Sequence, residues 1–203
     1  MRPVASLVLA LALASTAAAQ LPVALTGKIE RAGANPCHTS ATHRVACTDI
    51  FLRSTTVDLS SLEGRTVDLR AVTTVTPGCA VLLDVTEAAN AAYATSTLAL
   101  GGYRRNATVV FTTTAPVGAL VAYFFASQPG FLPFLTFGTL QLDPTANFLY
   151  WTFDVSIGVA LRTVRIPDEP ALVGQVALFQ TAFVSVAPEL RFGLLNAGCF
   201  TIQ

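Results

Sequence analysis

Apolar and polar positions alternate with a period of two through most of the chain. In "RTVDLRAVTTV" (65–75), Val67, Leu69, Ala71 and Val75 fall on one side, with Asp68 and Arg70 on the other. That pattern predicts a half-buried strand. "LPVALTGKIERA" (21–32), "TDIFLRS" (48–54) and "AVLLDVTEA" (80–88) read the same way. "GANP" (33–36), "SLEG" (61–64) and "TPG" (76–78) supply the turns. "DLSSLEG" has room for one helical turn, capped by Asp58 or Ser60. Four or five strands in about 70 residues suit a small barrel.

The texture then changes. "EAANAAYATS" (87–96) predicts a short helix or a linker, and the domain boundary falls here. Beyond it lie "ATVVFTTT" (107–114), "GALVAYFFAS" (118–127), "TFGTLQLD" (136–143), "NFLYWTFDVSIG" (147–158), "GQVALFQTAFVSV" (174–186) and "GCFTI" (198–202). Short strands broken by Pro and Gly predict a β-sandwich. Leu172, Val176 and Phe179 are helix-spaced, but Gly174 and the β-branched and aromatic content favour a strand. The expected fold is all-β: a small OB-like barrel over 20–88, a linker over 89–97, and an antiparallel β-sandwich over 98–203. The OB likeness rests on strand number and length alone.

The segment 147–158 carries an expectation about faces. Leu149, Trp151, Phe153, Val155 and Ile157 form one apolar series, expected to face the core. Phe148 and Tyr150 share the other face with Thr152, Asp154 and Ser156 and are expected to be exposed. "QPGFLPF" (128–134) reads as a loop whose Phe131, Leu132 and Phe134 either plug the sandwich end or meet a partner, plugging being favoured.

Residues 1–19 stand outside the alternation. Arg2, an apolar run from Val4 to Leu13 and Ala17-Ala18-Ala19 form a signal-peptide pattern with a cut after Ala19. The run is too short to span a bilayer. A secreted or periplasmic bacterial protein is expected. Hydrophobic residues make up 53% of the chain and charged ones 12%, which argues against disorder. Twelve basic residues balance twelve acidic ones. Such a chain lacks the basic footprint of a nucleic-acid binder and the polybasic run that holds anionic membranes.

Part of the second half is familiar. "LGG" (100–102), "PVGA" (116–119), "LDP" (142–144), "IPDEPALVG" (166–174) with the following "FQ", and "LLNA" (194–197) resemble a small β-sandwich module near the C-termini of secreted planctomycete-like bacterial proteins. The resemblance implies a sandwich and export. It transfers no activity and no catalytic residue. Cys199 falls where such modules carry an ordinary strand residue.

Candidate chemistry concentrates in "NPCHTSATHRVACTD" (35–49), which holds both histidines, His38 and His43, between Cys37 and Cys47. The C-H-x4-H-x3-C spacing is not that of a standard zinc finger, and export favours oxidised thiols. A Cys37–Cys47 bridge across the loop is the leading expectation; Cys79 would then bond Cys199, or both stay free. An up-down-up strand order also brings the "TPGC" turn to the same barrel end, so Cys79 pairs alternatively with Cys37 or Cys47. For catalysis, Thr39, Ser40 and Thr42 are candidate nucleophiles, with Asp49 or Asp84 as orienting acids. No G-x-S-x-G or H-E-x-x-H pattern accompanies them. Asp168 and Glu169 read as a solvated turn rather than as partners of Asp154.

The leading expectation is a non-enzymatic binding or structural module of the cell surface or periplasm, with no metal and no cofactor. Its partner would be a cell-surface protein or glycan. One alternative is carbohydrate or peptide binding through the aromatics Phe131, Phe134, Phe148 and Tyr150, with His38 and His43 as separate binding candidates in the barrel-end loop. The other is a metal-binding or hydrolytic protein using His38 and His43.

Overall fold

The computed structural model describes residues 20–74, 79–134, 137–145, 150–186 and 189–203, with Tyr150 and Trp151 by backbone only. The signal-peptide pattern, the "TPG" turn and Phe148 lie outside the described residues.

Five strands close the barrel: β1 (Pro22–Arg31), β2 (His43–Val45), β3 (Ile50–Arg53), β4 (Thr66–Thr74) and β5 (Val81–Asn90). Their order is β1-β2-β3-β5-β4, with β4 returning to β1. Only the β3–β5 pair is parallel. This is the arrangement of an OB-type barrel. The alternation dictates its filling: Val23, Leu25, Ile29, Val45, Leu52, Val67, Leu69, Leu83 and Val85 are buried in one cluster. A 3-10 turn (Leu59–Leu62) contributes Leu59 to that core, and the Asp58 carboxylate caps it by accepting from the Ser60 N–H at 3.0 Å.

The rest builds on β6 (Thr95–Leu100), β7 (Thr108–Thr114), β8 (Leu120–Ala126), β9 (Pro129–Phe134), β10 (Gly138–Leu142), β11 (Tyr150–Val155), β12 (Val159–Arg165), β13 (Val176–Ser185) and β14 (Arg191–Thr201). Sheet β12-β7-β6 faces sheet β11-β8-β13-β14, the three-on-four strand order of an immunoglobulin-like sandwich. Phe111 centres the core, edge-to-face with Tyr123, Phe125 and Phe179. Gly198 pairs with Phe179 and Gly193 with Phe183, each glycine leaving room for the ring opposite.

Three expectations change. Because β5 runs to Asn90 and β6 starts at Thr95, the connection is shorter than the expected 89–97 and holds no helix. "QPGFLPF" is β9, an edge strand paired only with β10, where Pro129 and Pro133 are tolerated. Its Phe131 packs against the barrel core rather than plugging the sandwich end. The faces of β11 are reversed: Ser156 just beyond it is 1% exposed and Thr152 is buried, whereas Val155 is 62% exposed and Ile157 85%. The polar face turns inward because its groups find partners there. Ser156 Oγ donates to the Ala115 carbonyl at 3.1 Å and accepts from the Gly158 N–H at 3.0 Å.

Barrel and sandwich share a bonded interface. The β9–β10 hairpin lies between them. Thr139 Oγ1 donates to the Ala24 carbonyl and Gln141 Nε2 to the Thr26 carbonyl, each at 2.8 Å. Gln180 of β13 completes the network. It accepts from the Gln141 N–H at 2.7 Å and donates to the carbonyls of Thr139 and Leu195 at 2.9 and 2.8 Å.

Candidate functional site

The cysteines settle first. Cys37 bonds Cys79 and Cys47 bonds Cys199. The favoured Cys37–Cys47 bridge is therefore corrected. Cys37 lies in the long connection before β2, which folds back over the barrel wall so that His38 reaches Phe51 and Ala80. There Cys37 meets Cys79 in the β4–β5 connection. Cys47, in the turn between β2 and β3, ties the barrel to β14.

Both histidines are buried fixtures of the barrel. His38 Nε2 bonds the Ala80 carbonyl, and its ring lies 5.8 Å from that of Phe51. Asn35 Oδ1 holds the turn before it, accepting from the N–H groups of Cys37 at 2.8 Å and His38 at 3.2 Å. His43 bonds the Thr42 hydroxyl at 2.8 Å through Nδ1 and Glu63 Oε1 at 3.1 Å through Nε2. The hydrogen bond from His43, with a second from Arg31, holds the Glu63 carboxyl below the usual range. Thr42, His43 and Glu63 thus line up as hydroxyl, imidazole and carboxylate, the parts of a general-base relay. The line ties the β1–β2 connection to the 3-10 turn and borders none of the clefts described below. Among the described residues no three His, Cys, Asp or Glu side chains cluster as metal ligands.

OB-type barrels bind oligomeric ligands on the β2–β3 face, between the β1–β2 and β4–β5 connections. Here those connections are joined by Cys37–Cys79, and His38 sits between Phe51 and Ala80. Arg53 of β3 is engaged by Asp84, through Nη2 at 2.9 Å as well as through Nε, and donates to Ser40 at 3.2 Å. The chain's own loop occupies the customary face.

The open cleft lies elsewhere, between barrel and sandwich. It has a volume of about 520 Å³. One wall is the outer surface of β1, β4 and β5, with Thr26, Asp68, Arg70 and Glu87; the other carries Tyr93, Phe137, Phe183 and Phe192. Phe137 and Phe192 meet edge-to-face with centroids 5.2 Å apart and remain 47% and 36% exposed. Tyr93 stands edge-on to Phe183 at 5.4 Å. Across from them Thr26 Oγ1 donates to Asp68 Oδ1 at 2.6 Å, and Arg70 stands 3.6 Å from Glu87. A second depression of about 550 Å³ shares Ala24 and Arg70 with the cleft and continues along the barrel wall.

Of the aromatic candidates, Phe131 and Phe134 fall outside this cleft, while Phe148 lies outside the described residues. Phe131 borders a small depression of about 170 Å³ beside Cys79, and Phe134 is exposed at the end of β9. Tyr150 pairs by backbone with Phe125. Sequence reasoning did mark Asp68 and Arg70 as the polar face of their strand, but it missed Tyr93, Phe137 and Phe192. Phe192 belongs to the first residues of β14, which begins well before the expected 198.

No family model, curated protein or solved structure matches the chain. No helix among the described residues is long and apolar enough to cross a membrane.

Proposed function

We propose that the protein is an exported, non-enzymatic binding module of the cell surface or periplasm, and that its ligand lies in the cleft between barrel and sandwich. The observation that carries this reading is the cleft itself. Two half-exposed aromatic rings stand opposite Asp68, Arg70 and Glu87 in a volume suited to a small ligand or one segment of a polymer. Export is supported by the leader pattern and by four cysteines all held in disulfides. Binding is favoured over catalysis because His38 and His43 are buried and bonded away from the cleft.

The test is a glycan and peptide array probed with the native protein and with Phe192→Ala. Signal lost in the variant supports the cleft. Signal unchanged in Phe192→Ala and in Phe137→Ala places the ligand elsewhere and sinks the reading. Mass analysis of exported protein should find Gln20 as its first residue.

A further inference from the structure

We propose that the cleft takes a neutral oligosaccharide, running from the aromatic pair Phe137 and Phe192 past Arg70 along β4. This rests on the cleft reading above and names its ligand class.

Charge is the first argument. The charged groups of the cleft are Asp68, Glu87 and Arg70, a net balance of one negative charge (two acidic against one basic). Lys28, the sole lysine, is absent from its walls. A polyanion would meet net repulsion there.

Backbone geometry is the second. A peptide captured by strand addition needs an open sheet edge. Along this wall β4 is paired on both sides, by β1 and β5, and on β1 the Ala24 and Thr26 carbonyls already accept from Thr139 and Gln141; only β5 beyond Asp84, where β3 ends, keeps one edge without a strand partner. On the sandwich side the Leu194 N–H already donates to the Phe137 carbonyl at 2.9 Å. Along β4, the path of the ligand, recognition therefore falls to side chains. The ligand must bring its own hydrogen-bonding rim and an apolar face.

A sugar ring has both. Its axial C–H groups form an apolar face that lies against an aromatic ring, and its hydroxyls form a rim of donors and acceptors. Asp68 and Glu87 offer planar carboxylates that accept from adjacent hydroxyls, and Arg70 offers a donor fork. Asp68 lines the cleft and accepts from Thr26 through Oδ1, and Arg70 stands 3.6 Å from Glu87.

Length is the third. Two depressions of about 520 and 550 Å³ share Ala24 and Arg70. Two adjoining depressions of that size suit several linked rings better than one.

The experiment is calorimetric titration of the full chain with the disaccharide and tetrasaccharide of β-1,4-linked glucose and of β-1,4-linked N-acetylglucosamine. A galacturonate tetramer and a pool of random extended peptides serve as comparisons. The expected result is that a neutral tetrasaccharide binds at least about tenfold more tightly than its disaccharide, and that Phe192→Ala weakens it by about tenfold or more. Arg70→Ala, on the exposed barrel wall, should weaken the tetrasaccharide more than the disaccharide and guards against misfolding of the aromatic variant. Preference for galacturonate, or peptide binding that depends on Phe192 with no sugar binding, overturns the sugar class and leaves the cleft reading standing. Sugar binding indifferent to Phe137→Ala, Phe192→Ala and Arg70→Ala overturns both, as does no binding by any probe.

Discussion

Barrel and sandwich are written in the same period-two alternation and use it in different senses. On β4, Val67, Leu69 and Ala71 face the barrel core while Asp68 and Arg70 face out. On β6 the order reverses: Thr95 is buried and Leu98 and Leu100 are exposed. β11 repeats the reversal. The interior threonine hydroxyls are stable in the sandwich because they bond each other. Thr95 Oγ1 lies 3.0 Å from Thr113 Oγ1 and donates to Thr181 Oγ1 at 2.8 Å. Asn196 bonds the Thr95 N–H and carbonyl at 2.8 and 2.9 Å. Alternation identifies a strand in either unit. Which face is core depends on what stands opposite.

The sharpest test asks whether the two units are separate at all. Cys47–Cys199 spans 152 residues and Cys37–Cys79 spans 42. Chain entropy then gives about 5 kcal/mol for the first and about 4 kcal/mol for the second. Replacing Cys47 and Cys199 with Ser should lower denaturant stability more than replacing Cys37 and Cys79. Unfolding should stay a single transition, because the Gln141–Gln180 network still joins the halves. Two resolved transitions would show independent units.

Gln180 comes next. It is fully buried and satisfies three backbone groups of β10 and β14. Gln180→Ala should cost about 3 kcal/mol, since stranded buried partners carry their desolvation penalty. An effect below about 1 kcal/mol would mean that water replaces the amide, and that the interface rests on apolar contact and the disulfide.

Much of the barrel is legible in the sequence because its rule is local: β4 is visible in its own alternation. β2, at three residues, is too short to show a period. β9 was hidden by its prolines, which exclude a central strand but not an edge one. The disulfide pairing depends on how the 32–42 connection folds over the barrel, so sequence proximity misleads for Cys37 and Cys47. The cleft is the least legible feature. Phe137 and Phe192 lie on different elements and meet only because β14 runs past the end of the hairpin.

A smaller contrast tests the reversed faces directly. Ser156→Ala removes two hydrogen bonds inside the sandwich and should cost about 1–2 kcal/mol. Val155→Ala trims an exposed side chain and should stay within about 0.5 kcal/mol. The opposite ranking in urea unfolding would restore the apolar face of β11 to the core.

The smallest effects are in pH, and the two units should set opposite limits. In the barrel, the hydrogen bond from Arg53 holds the Asp84 carboxyl below its ordinary range, with a further bond from Thr74. A lowered folded-state pKa gives stability that is present above the unfolded value near ~3.9 and lost as pH falls through the folded one. The pair is more than a third exposed, so the loss should be under about 1 kcal/mol. In the sandwich, burial pushes the Tyr123 phenol up, against an opposing effect of Thr113, with smaller contributions from Asp154, which adds to the shift, and Arg162, which opposes it. Its contribution is complete below the unfolded value near ~10 and is lost as pH rises through the folded one, because the unfolded chain ionises first. Arg53→Gln should flatten the acid limb of stability against pH and leave the alkaline limb alone. Tyr123→Phe should do the reverse. If either variant altered both limbs, the polar exterior of the barrel and the polar interior of the sandwich would be electrostatically coupled, and the contrast between them would not hold.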